Sequence, residues 1–218
     1  VIACTSKTAE EVRVFRREAD LSDPFLVENG GAVHGDSPEG EWTLPLGWRH
    51  QRLEPWLVEL GRRIGLELRA LDELPTAEAE QLTGLRGEAL AMACRRVWSV
   101  PFLNPPAYHW PALESAAAAV GLKLLQGNRM AHLISADTDK GLALAALKRH
   151  LGANGTRVLA LGDSPNDTAL LDAADRAVVV PGAGGPHPAL EAGIAAGRYE
   201  LASAPHAEGW AEAVAALL

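Results

Sequence analysis

The chain has 218 residues, 48% of them hydrophobic, enough for a real core in one domain with an insertion or in two small domains. Its formal net charge of −8 argues against a general nucleic-acid binder, and no apolar run approaches the ~20 residues of a membrane-spanning helix. Two cysteines, Cys4 and Cys94, lie far apart without metal-ligand spacing and read as free thiols of a reducing, cytoplasmic protein.

In chain order, Val1 to Thr8 reads as a strand running into a polar turn, and the helical pattern of Glu10, Glu11, Val12, Val14 and Phe15 follows. The chain opens on Val1 already inside an apolar run, so an N-terminal piece is expected to be missing. Thr5 ends the strand, where its hydroxyl can face a ligand or cap the helix. Pro24 to Val33 reads as a second strand interrupted by Glu28-Asn29-Gly30-Gly31. Adjacent glycines suit a turn or a close approach of backbone to a ligand. From His34 to about Asn128 the composition changes, and five of the six tryptophans fall here. Helices are expected around Leu53–Ile64, Thr76–Leu82, Leu85–Cys94 and Ala112–Val120, with a strand over Val97–Leu103, and the tryptophans are read mainly as core.

Gly127 to Leu133 reads as a strand returning from this insertion. Asp137-Thr138-Asp139-Lys140-Gly141 then precedes a helix. A Lys at a helix start works against the helix dipole, which points to a use beyond local structure. The most informative stretch is Arg157 to Asp175, RVLALGDSPNDTALLDAAD. Val158 to Leu161 forms a buried parallel strand closed by Gly162, and a helix begins after Asp167. The polar residues between them sit at the C-terminal edge of a strand, where open α/β sheets bind ligands. Asp163, Asn166 and Asp167 make a hard-oxygen cluster of the kind Mg²⁺ accepts; the alternative is a helix start capped by Asp163 or Ser164. Ala177 to Val180 is a further buried strand, Pro181 to Pro186 a plain loop, and Ala189–Gly197 and Gly209–Leu218 are helical. None of the seven histidines has zinc-ligand spacing.

Taken together, these strings resemble the haloacid dehalogenase superfamily of phosphatases, in the branch of the mannosyl-3-phosphoglycerate phosphatases. G-D-S-P-N-D at 162–167 resembles the fourth motif, Lys140 the third and Thr5 the second. Ser6-Lys7-Thr8, Glu28-Asn29-Gly30-Gly31 and Gly127-Asn128-Arg129-Met130-Ala131-His132 resemble segments of the named branch. The resemblance implies an α/β fold: a HAD-like Rossmannoid core with a parallel sheet, first strand missing, and an inserted α+β cap. The core is expected at residues 1–33 and 129–218 and the cap at 34–128. It implies Thr5 and Lys140 as catalytic groups, Asp163 as a Mg²⁺ ligand, and Asn166 and Asp167 holding metal waters and orienting Lys140. Ser6, Lys7, Asn29, Gly30, Arg96, Arg129 and His132 are expected at the substrate. Arg96-Val97-Trp98-Ser99-Val100-Pro101 falls where the branch often has R-E-aromatic-S-E-P. Valines in place of both glutamates suggest lost sugar contacts.

The superfamily's aspartate nucleophile lies in a D-x-D-x-T string upstream of the threonine motif, and no such string is present here. The resemblance therefore implies a Mg²⁺-dependent phosphatase for a phosphorylated glycosyl glycerate, with its nucleophile outside these residues and this chain alone inactive. The partner expected is a small phosphorylated sugar, with no nucleic acid and no membrane; oligomeric state is not legible. Two alternatives stand beside it: a phosphatase for another sugar phosphate or glucosyl-3-phosphoglycerate, and a non-catalytic ligand-binding protein.

Overall fold

The computed structural model describes residues 1–127 and 130–216, arranged as two units, Val1–Asp139 and Lys140–Leu218. In the first unit, α1 (Ala9–Glu18) starts at a full capping box. Thr8 accepts from the Glu11 amide, and the Glu11 carboxylate accepts from the Thr8 amide. The expected first strand is reduced to one parallel bridge, Cys4 to Leu26. The chain then forms an antiparallel meander of β1 (Phe25–Val27), β2 (Ala32–Ser37) and β3 (Gly40–Pro45), with Phe25 opposite His34 and Ser37 opposite Gly40.

The rest of this unit is α+β. Four helices, α2 (His50–Ile64), α3 (Thr76–Thr83), α4 (Gly87–Cys94) and α5 (Trp110–Ala118), accompany an antiparallel sheet. Its strands are β4 (Val100–Leu103), β5 (Leu122–Gln126) and β6 (Met130–Ser135), in the order β4-β6-β5. Leu53, Leu57 and Leu60 of α2 pack with Leu113 and Ala117 of α5 on Val100, Phe102, Leu122 and Leu133. Trp48, Trp56 and Trp110 line the margin of that cluster, so three of the insertion's tryptophans serve as core, as expected. Trp98 does something different. It is buried with Val12, Phe25, Val27 and Ala32, and it stitches the start of β4 to the first helix and the meander.

That stitch explains Gly31. A Cβ built there would lie 2.3 Å from the Trp98 Cβ. Its φ of −62° suits any residue, so the demand is purely one of space. The preceding residues do carry strain: Glu28, Asn29 and Gly30 have φ of 48°, 59° and 95°. The Glu28 carboxylate, in a residue 1% exposed, accepts from the amides of Val97 and Trp98, each at 3.0 Å, and from the Ser99 hydroxyl at 2.7 Å. Three donors, two of them held by backbone, offset the desolvation of a buried carboxylate.

The second unit is a parallel sheet, β7 (Leu159–Gly162), β8 (Arg176–Val179) and β9 (Glu200–Leu201), in that order. Its helices are α6 (Lys140–His150), α7 (Thr168–Asp172), α8 (Pro188–Ala195) and α9 (His206–Ala215). Val178, Val180 and Ala202 form a small core that Leu159, Leu161 and Ala213 complete. The 182–185 loop closes on itself through paired Gly182 and Gly185 backbone bonds, the plain loop its sequence suggested. Among the described residues, no helix is long and apolar enough to cross a membrane. Cys4 and Cys94 are both half-buried and form no disulfide.

Two measurements test this account. Gly31→Ala should destabilise the protein by about 1–3 kcal/mol in urea denaturation, because the Trp98 Cβ lies too close to its backbone to move aside; unchanged stability would refute the packing. His34 is 9% exposed, bonds Thr43 at 2.9 Å and stacks on Phe25 at 5.3 Å. Burial, then the nearby Arg13 charge, lowers its pKa from 6.5 to about 4. Unfolded chains therefore take up this proton first: the fold loses about 3 kcal/mol as pH falls from 6.5 to 4, and nothing above 6.5. His34→Gln should flatten that acid limb by the same amount, read as urea midpoints across pH 4 to 7.

Candidate active site

In the second unit the sequence places a cation at a helix start and an acidic turn after a strand, and the fold joins them. Lys140 opens α6 and is 4% exposed; its ammonium meets the Asp167 Oδ1 at 2.5 Å. The other oxygen of Asp167 accepts from the Asp163 amide at 3.0 Å and from the Ser164 amide and hydroxyl at 3.1 Å each. The Ser164 hydroxyl also lies 2.6 Å from the Asn166 side-chain oxygen. Two glycines make this approach possible. A Cβ on Gly162 would sit 2.6 Å from the Asp167 Cβ, and one on Gly141 would sit 2.2 Å from the Ala169 carbonyl oxygen. The glycine of G-D-x-x-N-D is thus required by the Asp167 side chain, and that of D-K-G by the Ala169 backbone.

The two aspartates of this turn differ electrostatically. Burial pushes Asp167 upward, but the Lys140 charge and the two amide bonds outweigh it and hold the carboxyl below the usual range. Asp163 is an exposed residue. Partial desolvation, followed by the like charge of Asp167, holds its carboxyl above the usual range, with only partial relief from Lys140. A carboxylate raised in this way lacks positive charge of its own, which is the condition a divalent cation would correct. Among the described residues no cluster of three or more His, Cys, Asp or Glu could hold a metal, so Asp163 could offer one ligand and not a cage. Mg²⁺ commonly keeps several waters and takes one or two carboxylates beside substrate phosphate oxygens. Asp163 fits that pattern.

In the first unit the Thr5-Ser6-Lys7 loop shows a consistent orientation. All three carbonyls point into protein: Thr5 to the Asn29 amide at 3.0 Å, Ser6 to Arg96 Nη1 at 2.5 Å, and Lys7 to the Glu28 amide at 3.0 Å. The Lys7 amide donates to the Thr5 hydroxyl oxygen at 3.2 Å. That leaves the hydroxyl proton of Thr5 to donate elsewhere. The Ser6 amide has no acceptor among the described residues. A short loop that hides its acceptors and presents donors is suited to an anion. Lys7, 55% exposed at its side chain, adds a positive charge and pairs with Glu11 at 2.9 Å.

The remaining predicted residues are placed less openly. Asn29 is fully buried, and Gly30 is buried in a left-handed conformation. His132 lies in the middle strand β6, opposite Pro101 and Leu125, and is 7% exposed. Arg129 lies outside the described residues. Arg96 is turned inward, its side chain 7% exposed and its Nε donating to the Ala93 carbonyl at 2.7 Å. The two valines of the 96–101 string part company. Val97 is 37% exposed, but Val100 is fully buried in the cluster with Phe102 and Leu133. A glutamate at 100 would be a buried charge in an apolar core, so its absence there follows from packing. Sequence reasoning missed Glu28 and Glu11; the T-x-x-E capping string at Thr8–Glu11 was the available signal for the second.

Comparisons with known proteins agree with this geometry. Residues 112–217 match the family model of sucrose-6F-phosphate phosphohydrolase. A glucosyl-3-phosphoglycerate/mannosyl-3-phosphoglycerate phosphatase from Persephonella marina is 26% identical over 229 residues, spanning 98% of this chain and 82% of that protein. One of the same name from Methanococcoides burtonii is 29% identical over 192 residues, 80% of this chain and 70% of its own. Among solved structures, a haloacid dehalogenase-like hydrolase from Bacteroides thetaiotaomicron gives a TM-score of 0.67 at 16% identity, covering 100% of this chain and 86% of that one. The chain is similar to phosphatases of the haloacid dehalogenase superfamily. Its fold is the α/β one the sequence implied, a parallel sheet carrying the G-D-x-x-N-D turn together with an inserted α+β cap.

The charge partition in this turn is testable by melting. Asp167→Asn should cost about 3–5 kcal/mol, because it leaves the Lys140 ammonium buried without a counter-charge. Asp163→Asn, measured without divalent cations, should melt no lower than the parent. The stability Asp167 confers is present above the ordinary carboxylate range and is lost as pH falls through its depressed pKa, so the gap between Asp167→Asn and the parent should narrow in acid. Equal destabilisation by both substitutions at pH 7 would show that the two carboxylates share one environment.

Proposed function

We propose that the protein releases phosphate from a phosphorylated glycosyl glycerate, mannosyl-3-phosphoglycerate or its glucosyl counterpart. The observation that carries this reading is the Thr5-Ser6-Lys7 loop. Its inward carbonyls leave hydroxyl and amide donors for a phosphoryl group, with the Lys7 charge beside them for a second anion such as a glycerate carboxylate. The names of the two curated relatives support the substrate class.

Phosphoryl transfer is mostly positioning and charge stabilisation. In this reading Thr5 donates its hydroxyl proton to a phosphoryl oxygen. Lys140, fixed by Asp167, stabilises the negative charge of the phosphoryl group. Asp163 would hold Mg²⁺, with Asn166 and Asp167 ordering water around it. When bound, the ion neutralises phosphoryl oxygens. The P–O ester bond breaks as an aspartate carboxylate takes the phosphoryl group, and water then releases phosphate from that aspartyl-phosphate. The nucleophile is a residue of the superfamily's D-x-D-x-T string, which these 218 residues do not contain. The division into a core of residues 1–33 and 129–218 and a cap of 34–128, and a location in the cytoplasm, are part of the same proposal.

A second reading keeps the chemistry and changes the sugar. It is favoured by the match to the sucrose-6F-phosphate phosphohydrolase model and by the exposed Val97, where the branch often carries a glutamate. The deciding measurement is phosphate release by the product of the complete reading frame from mannosyl-3-phosphoglycerate, glucosyl-3-phosphoglycerate and sucrose-6-phosphate, with Mg²⁺ and with EDTA. Selective, EDTA-sensitive release from the glyceryl glycosides is expected. Preference for sucrose-6-phosphate would install the second reading, and release unaffected by EDTA would remove the metal from the scheme.

A further inference from the structure

The Thr5-Ser6-Lys7 loop is held inward at three carbonyls, and the three ties are not alike. Thr5 and Lys7 are held by the backbone amides of Asn29 and Glu28, which no side-chain change removes. Ser6 is held by a side chain alone, the Nη1 of Arg96. Arg96 follows α4, and its Nε is anchored on the Ala93 carbonyl in the last turn of that helix, where a cation is favoured. Its Nη2 faces the Glu11 carboxylate at 4.0 Å. All three guanidinium nitrogens are therefore directed at protein acceptors, in a side chain only 7% exposed. A carboxylate fork needs two adjacent N–H groups facing the ligand, and this geometry does not offer them.

The consequence runs through one peptide plane. The Ser6 carbonyl and the Lys7 amide belong to the same rigid unit and point in opposite directions. With the carbonyl drawn to Arg96, the amide lies on the Thr5 side and donates to the Thr5 hydroxyl oxygen. That bond uses an acceptor lone pair of the hydroxyl and aims its proton away from the loop. If the plane turned over, the Thr5 hydroxyl would lose the bond that orients it. We propose that Arg96 is a positioning residue for the Thr5 hydroxyl, acting through the Ser6–Lys7 peptide, and not an anion clamp on the substrate. The inference rests on the proposed role of Thr5 at the phosphoryl group.

Both roles make distinct kinetic predictions on the product of the complete reading frame. A clamp would recognise the glycerate carboxylate, so its loss would raise KM for mannosyl-3-phosphoglycerate and spare p-nitrophenyl phosphate, which has no carboxylate. A positioning role acts on the phosphoryl group common to both. Arg96→Gln should lower kcat on the two substrates alike, by tenfold or more, an order of magnitude typical of a misplaced transition-state donor, with KM little changed. Arg96→Lys keeps the charge but cannot span the Ala93 and Ser6 carbonyls, so it should fall to a similar level. In the Thr5→Val background, Arg96→Gln should have no further effect, since a residue acting only through Thr5 has nothing left to orient.

A loss confined to KM of the carboxylate-bearing substrate, full rescue by Arg96→Lys, or additive losses in the double variant would each overturn the proposal. If neither arginine variant melts cooperatively, Glu11→Gln carries the test. Glutamine keeps the capping acceptor for Thr8 but removes a charge that faces both Arg96 and Lys7, so this variant is read on p-nitrophenyl phosphate, which has no glycerate for Lys7 to meet. A fall in kcat on that ester supports the proposal, and an unchanged kcat on it overturns it. If the wild-type protein hydrolyses only the aryl ester, the substrate reading fails by itself, and the Arg96–Thr5 cycle on that ester still decides this inference.

Discussion

A buried ammonium cannot stand without a counter-charge, and in the second unit that constraint organises the site. Lys140 is 4% exposed at the first position of a helix, where the dipole opposes it. Asp167 answers it, and the rest of the turn is arranged so that Asp167 can. Gly162 gives its carboxylate room, Gly141 brings the first turn of α6 against α7, and the Asp163 and Ser164 amides fix the second oxygen. Breaking such a pair costs more than forming it gains, because one ion is then left alone in a poorly solvated place. The pair is thus better understood as a device for holding a cation in one position than as a source of stability.

The first unit meets the same constraint with a different solution. Glu28 is buried without a cationic partner among the described residues and is satisfied by two amides and a hydroxyl from 97–99. Its own amide meanwhile donates to Lys7, and its left-handed backbone sets up that double use. One residue therefore ties two segments about 70 positions apart in sequence to the Thr5 loop. Strain of this kind persists where surrounding contacts over-determine it. The Trp98 ring against Gly31 supplies the apolar part of that determination.

How much of this was legible depended on range. The strand–turn–helix from Leu159 to Asp172 could be read because its signal is local: an apolar run, a glycine, a polar turn and then helical spacing. Lys140 was found for the same reason, as a residue working against its own helix. The β3 strand escaped although Trp42 and Leu44 alternate with Glu41 and Thr43, because two half-buried residues between a glycine and a proline make only a short signal. The strand expected at Val1 shrank to a single bridge, since an apolar run states a wish for burial and not a hydrogen-bonding partner. Arg96 was read as an anion-binding residue from its type. Its actual acceptors, Ser6 and Ala93, include one 90 positions away that no local pattern reveals.

Asp163 and Asp167 show most plainly why residue type underdetermines role. Both are aspartates of one short turn, four positions apart, and a sequence reading groups them as one oxygen cluster. Asp167 faces inward to a lysine and two amides, and its charge is stabilised beyond what water offers. Asp163 faces outward, and the nearest strong influence on its charge after partial desolvation is the repulsion of Asp167 itself. Satisfying the first carboxylate from within the turn leaves the second under-compensated. The turn therefore sets apart two residues of one type: one carboxylate is engaged by the protein to fix the Lys140 ammonium, and the other is left exposed with its charge under-compensated.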